Sequence, residues 1–482
     1  MKHLVHSRIR PGMPPRLRAG WALFILFALL PSFSRAQTPA APRSFTLPEA
    51  VNYALANYPA VRAAIQAYAA AHEGIGLANT AYLPNVSVLW QENRATRNNV
   101  AGMLLPQPVI PNPSGPVIAE SNRSFWGSGA GVLISDEPFD FGYRRALVRA
   151  AQASERRSQA EVQLTRLDVA AGVADAALIV LATEQQVRAS QADVDRRTVF
   201  ARSVHAVVDA HLRPGADASR ADAELAAART QLALAQETQE IRAAVLAQVL
   251  GLAGSKIEIK LDPFLRPPPQ TLWNPGSIRE HPLAVVEQRR VEETQSRFNI
   301  LNHAYYPHFG FQALLAGRGT GTNGQGAPLH GTAGLWPGEA MNWGAGVTLA
   351  LPVLDIAAIH ARKKIELANE GRDRALYDQA LQNLTGEMAQ AQARLDGARR
   401  VAENTPVELQ ASQQSELQAR ARFQAGLGTI VDVAEAQRLL LRAEIDDSLA
   451  SLNVWRALAD LAAAQGDLSP FLNLTRNAPG GP

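Results

Sequence analysis

Apolar positions in this chain recur with two different periods. In the first half, Leu164, Leu167, Ala171, Ala174, Leu178 and Leu181 are spaced 3-4-3-4-3, the stripe of a helix that packs along a narrow seam. No proline interrupts Tyr143 to Leu212, and Gly172 is the only interior glycine. The pattern predicts one helix of roughly 70 residues, about 105 Å long. LRPGADAS, Leu212 to Ser219, breaks it, and a second helix returns through Leu225, Ala228, Leu232 and Ala235. The second half repeats the arrangement: a helix after Asp355, a turn at QAGLGT (Gln424 to Thr429), and a return seam through Val433, Ala436, Leu440, Ala443 and on to Ala464. Alanine at alternate seam positions lets such helices approach closely. These segments alone leave an elongated soluble coiled coil open.

Four shorter segments have period two. Val86, Val88 and Trp90 alternate with polar neighbours, as do Trp126, Ala130, Val132 and Ile134. Phe309, Phe311, Ala313 and Leu315 follow the same rule, and so do Met341, Trp343, Ala345, Val347, Leu349 and Leu351. About ten residues of alternation with aromatics near the ends is the pattern of a transmembrane β-strand. The Gly/Pro/Asn-rich stretches Asn98 to Arg123 and Gly317 to Ala340 suit long external loops. Four strands are too few for a closed barrel, which needs about eight at least. An open sheet edge is forbidden in lipid, because its backbone groups find no water there. The chain is therefore expected to supply its barrel in copies: two give eight strands and three give twelve.

The two halves also share landmarks. NYPAV (Asn57 to Val61) recurs as EHPLAV (Glu280 to Val285), and AYLPN (Ala81 to Asn85) as AYYPH (Ala304 to His308), with both proline pairs 223 apart. SDEPFDFG (Ser135 to Gly142) matches ALPVLD (Ala350 to Asp355), and SRADAELA (Ser219 to Ala226) is paired with TIVDVAEA (Thr429 to Ala436). The fold expected is mainly α with a transmembrane β-barrel, a duplicated helix–strand–strand–helix–helix unit. The first repeat is read as 37–254, with strands at 84–95 and 124–136 and a helical hairpin at 141–252. A linker at 255–275 leads to the second repeat, 276–468, with strands at 306–317 and 341–352 and a hairpin at 355–465. A tail at 469–482 ends the chain.

Composition sharpens this picture at three points. Residues 1–36 carry six Lys or Arg and no acid, then the apolar run Trp21 to Leu30, then Ser34 and Ala36 as small residues for cleavage. Ten apolar residues reach only about 15 Å as a helix, so 1–36 reads as a secretory signal and not an anchor. The formal charge of +3 belongs to this leader; the rest has 41 basic against 44 acidic residues, which removes the electrostatic case for nucleic acid. Cysteine is absent, which leaves an exported chain with no disulfides and no thiol for an acyl anchor, so a lipoprotein is not expected. No later segment reaches the roughly 18 consecutive apolar residues of a membrane helix. The ten histidines show no metal-ligand spacing. GRGTGTNGQG (Gly317 to Gly326) lacks the strand-to-helix setting of a phosphate loop. His308 is the only histidine in a strand, too little for a hydrolase built into a barrel. No enzyme, cofactor or metal site is expected.

LPEAVNYALANYPAV (Leu47 to Val61), AYLPN, EPFDFG, the turn RFQAGLGTIVDVAEAQ (Arg422 to Gln437) and the order of strands and helices together resemble the TolC-type outer-membrane efflux family. The resemblance spans essentially all of 44–468. It implies a homotrimer with one shared twelve-stranded barrel in the outer membrane of a Gram-negative-type bacterium, continued by a long α-helical tunnel through the periplasm. The implied function is the exit channel of a tripartite efflux or type I secretion system, completed by a periplasmic adaptor and an inner-membrane transporter of RND, ABC or MFS type. Drugs, solvents, siderophores, polysaccharides and polypeptides all remain open as cargo; a heavy-metal channel is the alternative within the family, and a periplasmic coiled-coil adaptor the alternative outside it.

The resemblance also assigns residues. Asp432 and Glu435 match acids that ring the periplasmic constriction in such channels, and their i, i+3 spacing puts both on one helical face; a solvated acidic pair at a helix start is the plainer alternative. Asp222 is taken as the first-half counterpart of Asp432, and Phe423 joins the gate. Phe423 and Gly428 stand where the best-known relative has an aromatic hydroxyl and a base that help hold the mouth shut, so the lock here must differ. Pro214, Gly215, Gly426, Gly428 and Thr429 form the turns expected to meet the adaptor.

Overall fold

The computed structural model describes residues 43–96, 124–260, 264, 266–268, 276–319, 335–337 and 340–477. The leader 1–36 and most of the two expected external loops lie outside these residues. The order is β1 (Arg43–Phe45), α1 (Leu47–Asn57), α2 (Pro59–Asn79), β2 (Asn85–Thr96), β3 (Ser124–Phe139), α3 (Tyr143–Asp209) and α4 (Gly215–Val249). It continues with β4 (Ile257–Ile259), α5 (Pro282–His303), β5 (His308–Gly319), β6 (Ala340–Ala350), α6 (Asp355–Gln424), α7 (Ile430–Ala464) and α8 (Ser469–Asn477). Helix, strand, strand, long helix and shorter helix thus occur twice in succession.

Helix α3 runs 67 residues and α6 runs 70. Neither could stand by propensity alone at that length; each is held by a partner of the same hairpin, α4 on α3 and α7 on α6. On α7 the seam residues Val433, Ala436, Leu440, Ala443 and Ala450 are buried. On α4 Ala228 and Ala235 are buried but Leu225 and Leu232 only half-buried, and the buried stripe is made by Ala218, Ala221, Ala228 and Ala235. Pro406 lies inside α6, where its missing N–H leaves the Ala402 carbonyl without its usual helical donor. No helix among the described residues is long and apolar enough to cross a membrane.

The four long strands form one antiparallel sheet in the order β2–β3–β5–β6. Its registers place Val88 beside Val132, Val132 beside Leu315, and Leu315 beside Trp343. One face is therefore apolar from edge to edge, with Val88 79% and Trp343 82% exposed. The opposite face carries Ser87, Gln91, Gly129, Gly131, Gly310, Gln312, Asn342, Gly344 and Thr348. Strands β2 and β6 are the edges of this sheet, each paired to one neighbouring strand among the described residues.

Between the sheet and the hairpin tips lies the largest core. Leu47, Val51, Val173, Leu178, Leu181, Leu246, Leu458 and Trp455 meet there, fully buried. Two contributions were not expected. Strands β1 and β4 pair in parallel, within the stretch read as a linker in the case of β4. Phe264, from the same stretch, packs edge-on to the Trp455 ring at 5.3 Å. The region read as a tail likewise begins with a helix, α8, whose Phe471 is fully buried at 6.2 Å from Trp455. Apolar contacts to α7 order both segments, and the Trp455 indole N–H donates to the Arg266 carbonyl at 2.8 Å.

Candidate functional site

The two hairpin turns are built alike, residue for residue. Helix α3 closes with Ala210 as its C-cap and His211 in the left-handed region at φ 61°; α6 closes with Ala425 and then Gly426 at φ 73°. His211 N–H donates to the Val208 carbonyl and Leu212 N–H to Val207, while Gly426 donates to Phe423 and Leu427 to Arg422. Both are Schellman closures, which satisfy the last carbonyls of a helix and turn the chain sharply. They leave Leu212 75% and Leu427 74% exposed at equivalent points. The next helices start from N-caps Pro214 and Thr429, 215 residues apart.

That spacing corrects one expectation. Counted from the caps, Ala218, Ala221, Ala228 and Ala235 fall on Val433, Ala436, Ala443 and Ala450, and all eight are buried. The first-hairpin counterpart of Asp432 is therefore Asp217, not Asp222. The sequence similarity of SRADAELA and TIVDVAEA is five residues out of helical register. Asp222 lies more than a turn further along α4 and bonds His205 Nε2 at 2.9 Å, which raises the His205 pKa through that hydrogen bond and the carboxylate charge.

Asp432 belongs to a capping box. Its carboxylate accepts from Thr429 N–H at 2.9 Å and from the Thr429 hydroxyl at 2.9 Å, while the Thr429 hydroxyl accepts from Asp432 N–H. The backbone bond first, and the hydroxyl second, hold its pKa below the ordinary 3.8, so it stays charged. Glu435 is exposed and pairs with Arg438 at 3.3 Å. Both acids are on the exposed face of α7, as their spacing requires.

Phe423 has a different place from the one expected. It is only 6% exposed, packed between the hairpins with Phe200, Val204, Ala221, Ile430 and Val433. The Phe200 and Phe423 rings meet edge to face at 5.4 Å. It is a core residue of the single chain. Gly428 is spatially constrained: a Cβ there would sit 3.3 Å from the Arg422 Cβ and from the Phe423 nitrogen.

The residue that sequence reasoning missed is Arg213. It occupies in the first turn the position that Gly428 holds in the second, and it reaches across. Its Nη2 donates to the Phe423 carbonyl at 3.0 Å and to the Gly428 carbonyl at 3.3 Å, its guanidinium lies 4.4 Å from the Phe423 ring centre, and Asp217 stands 3.7 Å away. Aligning AHLRPGAD on AGLGTIVD would have equated it with Gly428, but its contact with the second turn is visible only in the fold. Further from the tips, Glu224 bridges the hairpins, bonded to Arg197 on one side and Arg438 on the other, both at 2.9 Å. Burial pushes the Glu224 pKa up, but the bonds and charge of Arg438 and Arg197 outweigh it and leave it below 4.5. Arg196 and Glu444 add a two-pronged pair at 2.8 and 2.7 Å. Among the described residues, no three His, Asp or Glu side chains gather as metal ligands.

Comparison with known proteins places this architecture. The family model for outer membrane efflux proteins matches residues 50–252 and 278–467. The pyoverdine export outer membrane protein OpmQ of Pseudomonas aeruginosa is 23% identical over 351 residues, 72% of this chain and 71% of its own. The cobalt-zinc-cadmium resistance protein CzcC of Cupriavidus metallidurans is 24% identical over 354 residues, 72% of this chain and 79% of its own. The crystal structure of the outer membrane protein VceC from Vibrio cholerae matches with a TM-score of 0.70 at 17% identity, over 87% of this chain and 96% of its own. With both halves covered by one family model, the chain belongs to the outer membrane efflux protein family.

Proposed function

We propose that this efflux protein is a passive exit duct in which three copies share one twelve-stranded barrel, continued by a tunnel of their helices across the periplasm. The observation that carries it is the four-stranded sheet: apolar on one face, mostly small and polar on the other, and open at β2 and β6. In lipid those edges must pair, and with the four described strands already in one sheet, strands of matching length and pattern come from further copies. Helices of 67 and 70 residues extend about 100 Å, a length suited to a periplasmic conduit. A periplasmic adaptor and an inner-membrane transporter of RND, ABC or MFS type complete the system. The names of the two relatives point to different cargo, so selection is assigned to the transporter and the duct is taken as indifferent.

The narrow mouth is assigned to the hairpin tips, with Asp432 and Glu435 of each copy around it. Six carboxylates near one opening favour cations and repel anions. In planar bilayers the protein should prefer cations and be blocked by multivalent ones. Asp432→Asn with Glu435→Gln should weaken the block and move the reversal potential towards anions. Asparagine is used because alanine would also remove the Thr429 cap bonds. An unaltered reversal potential and block would reduce the two acids to helix-start residues.

The adaptor is assigned to the turns Pro214 to Ser219 and Gly426 to Ile430, where Leu212 and Leu427 stand exposed beside small residues. Cysteines at Gly215 and Gly426 should crosslink to the cognate adaptor in cells. Crosslinks that form only at mid-helix positions such as Ala174 would reject docking at the tips.

A further inference from the structure

The tip of the second hairpin packs its Phe423 ring on the first, but four of its residues offer no polar tie across. Phe423 has no polar atom in its side chain, Gly428 has no side chain, Asp432 is committed to Thr429, and Leu427 points to solvent. We propose that Arg213 of the first hairpin is the clamp that keeps the second hairpin closed, gripping backbone carbonyls instead of a carboxylate. This rests on the assignment of the narrow mouth to the tips and adds the residue that regulates it.

Four features of the geometry support the assignment. The guanidinium reaches the second turn itself, with one nitrogen shared between the Phe423 and Gly428 carbonyls. Those two carbonyls flank the turn, so the cation spans the point where α6 ends and α7 begins. The Phe423 ring supplies a flat surface under the guanidinium at 4.4 Å, and the ring is itself fixed by Phe200. Asp217, at 3.7 Å and only 19% exposed at its side chain, orients the cation from its own helix. The absence of a Cβ at Gly428 matters here too: that turn is already close against Arg422, and its carbonyl remains accessible to a donor from the neighbouring hairpin.

A clamp made to carbonyls differs from the two ties further up, Arg438 to Glu224 and Arg196 to Glu444, which join side-chain charges. Those sit along the helices and can persist while the tip swings. Arg213 reaches the turn itself. Charge-assisted bonds of this kind are individually strong, so losing one should shift the open-to-closed ratio of a copy by about tenfold, equivalent to roughly 1.4 kcal/mol.

The test is single-channel recording of the intact native assembly in planar bilayers with Arg213→Ala, Arg213→Met and Arg213→Lys. Methionine keeps an unbranched stem over the Phe423 ring and removes the donors, which separates clamping from packing. The alanine and methionine forms should spend about ten times longer in the high-conductance state, with native mass and heat resistance unchanged, and lysine should fall between them and the parent. Parent-like conductance in both the alanine and the methionine forms overturns the clamp while leaving the channel intact. A rise with alanine but not with methionine also overturns it, since the stem and not the donors would then hold the tip. Failure of every form, the parent included, to pass current would sink the channel reading itself.

Discussion

Val132→Arg abolishes assembly in the membrane while leaving the helical hairpins folded. Val132 sits in the middle of β3, on the apolar face between Val88 and Leu315. A guanidinium there would point into hydrocarbon with no partner of opposite charge among its apolar neighbours. At the midplane of a barrel this costs about 2–4 kcal/mol per copy, and every copy of a symmetric assembly carries it. The total is comparable to the whole stability of an ordinary domain, about 5–15 kcal/mol. The expected result is loss of the heat-labile oligomer band and accumulation of the chain in the periplasmic fraction. Leu133→Arg makes the control, because the same change one residue along points to the opposite face. An oligomer that forms equally well in the Val132→Arg variant would show that this face does not meet lipid.

Trp455→Ala should be the most damaging single substitution in the helical part. The indole is 1% exposed, lies 5.3 Å from the Phe264 ring and 6.2 Å from that of Phe471, and donates to the Arg266 carbonyl. Truncating a buried tryptophan costs about 3–5 kcal/mol through lost apolar contact and the cavity left behind. Here the Arg266 carbonyl also loses its donor. Phe264 and Phe471 of helix α8 both pack on this side chain, so the chain at Phe264 and helix α8 should become sensitive to protease before the long helices do. Trp455→Phe should recover most of the packing but not the bond to Arg266. Uniform protection of both segments in the alanine form would show that other contacts hold them.

These two residues also mark how far the sequence alone can be read. The sheet pattern around Val132 is visible because period two in an exposed, half-apolar strand is a local property. The long helices are visible for the same reason, through the 3-4 spacing of Leu164 to Leu181 and the lack of proline across Tyr143 to Leu212. Trp455 lies one position past the seam residue Val454, and nothing local marks it as a core anchor. Its partners Phe264 and Phe471 lie in stretches whose composition suggests a linker and a tail, and nothing local reports the contact between Phe264 and Trp455, far apart in the chain. The three-residue pair of β1 and β4 is invisible on the same ground.

The tips are legible in kind but not in register. The acids Asp432 and Glu435 stand out because i, i+3 spacing at a helix start is a local signal. Asp222 matches Asp432 on resemblance of letters, whereas helical register is set by where the Schellman turn closes and the N-cap begins, which selects Asp217. Phe423, expected at an opening, is buried because the second hairpin's last turn packs on Phe200. Arg213 cannot be read as a contact at all until the two turns are known to lie side by side.

The central claim, a sheet that is closed only by copies of itself, is tested most directly by the native mass of the mature protein extracted from outer membranes. The account predicts a single species at three times the mass of one chain, which dissociates on heating. A stable monomer would contradict it outright, because β2 and β6 would then face lipid unpaired. A dimer would keep the open-edge reasoning and overturn the number three.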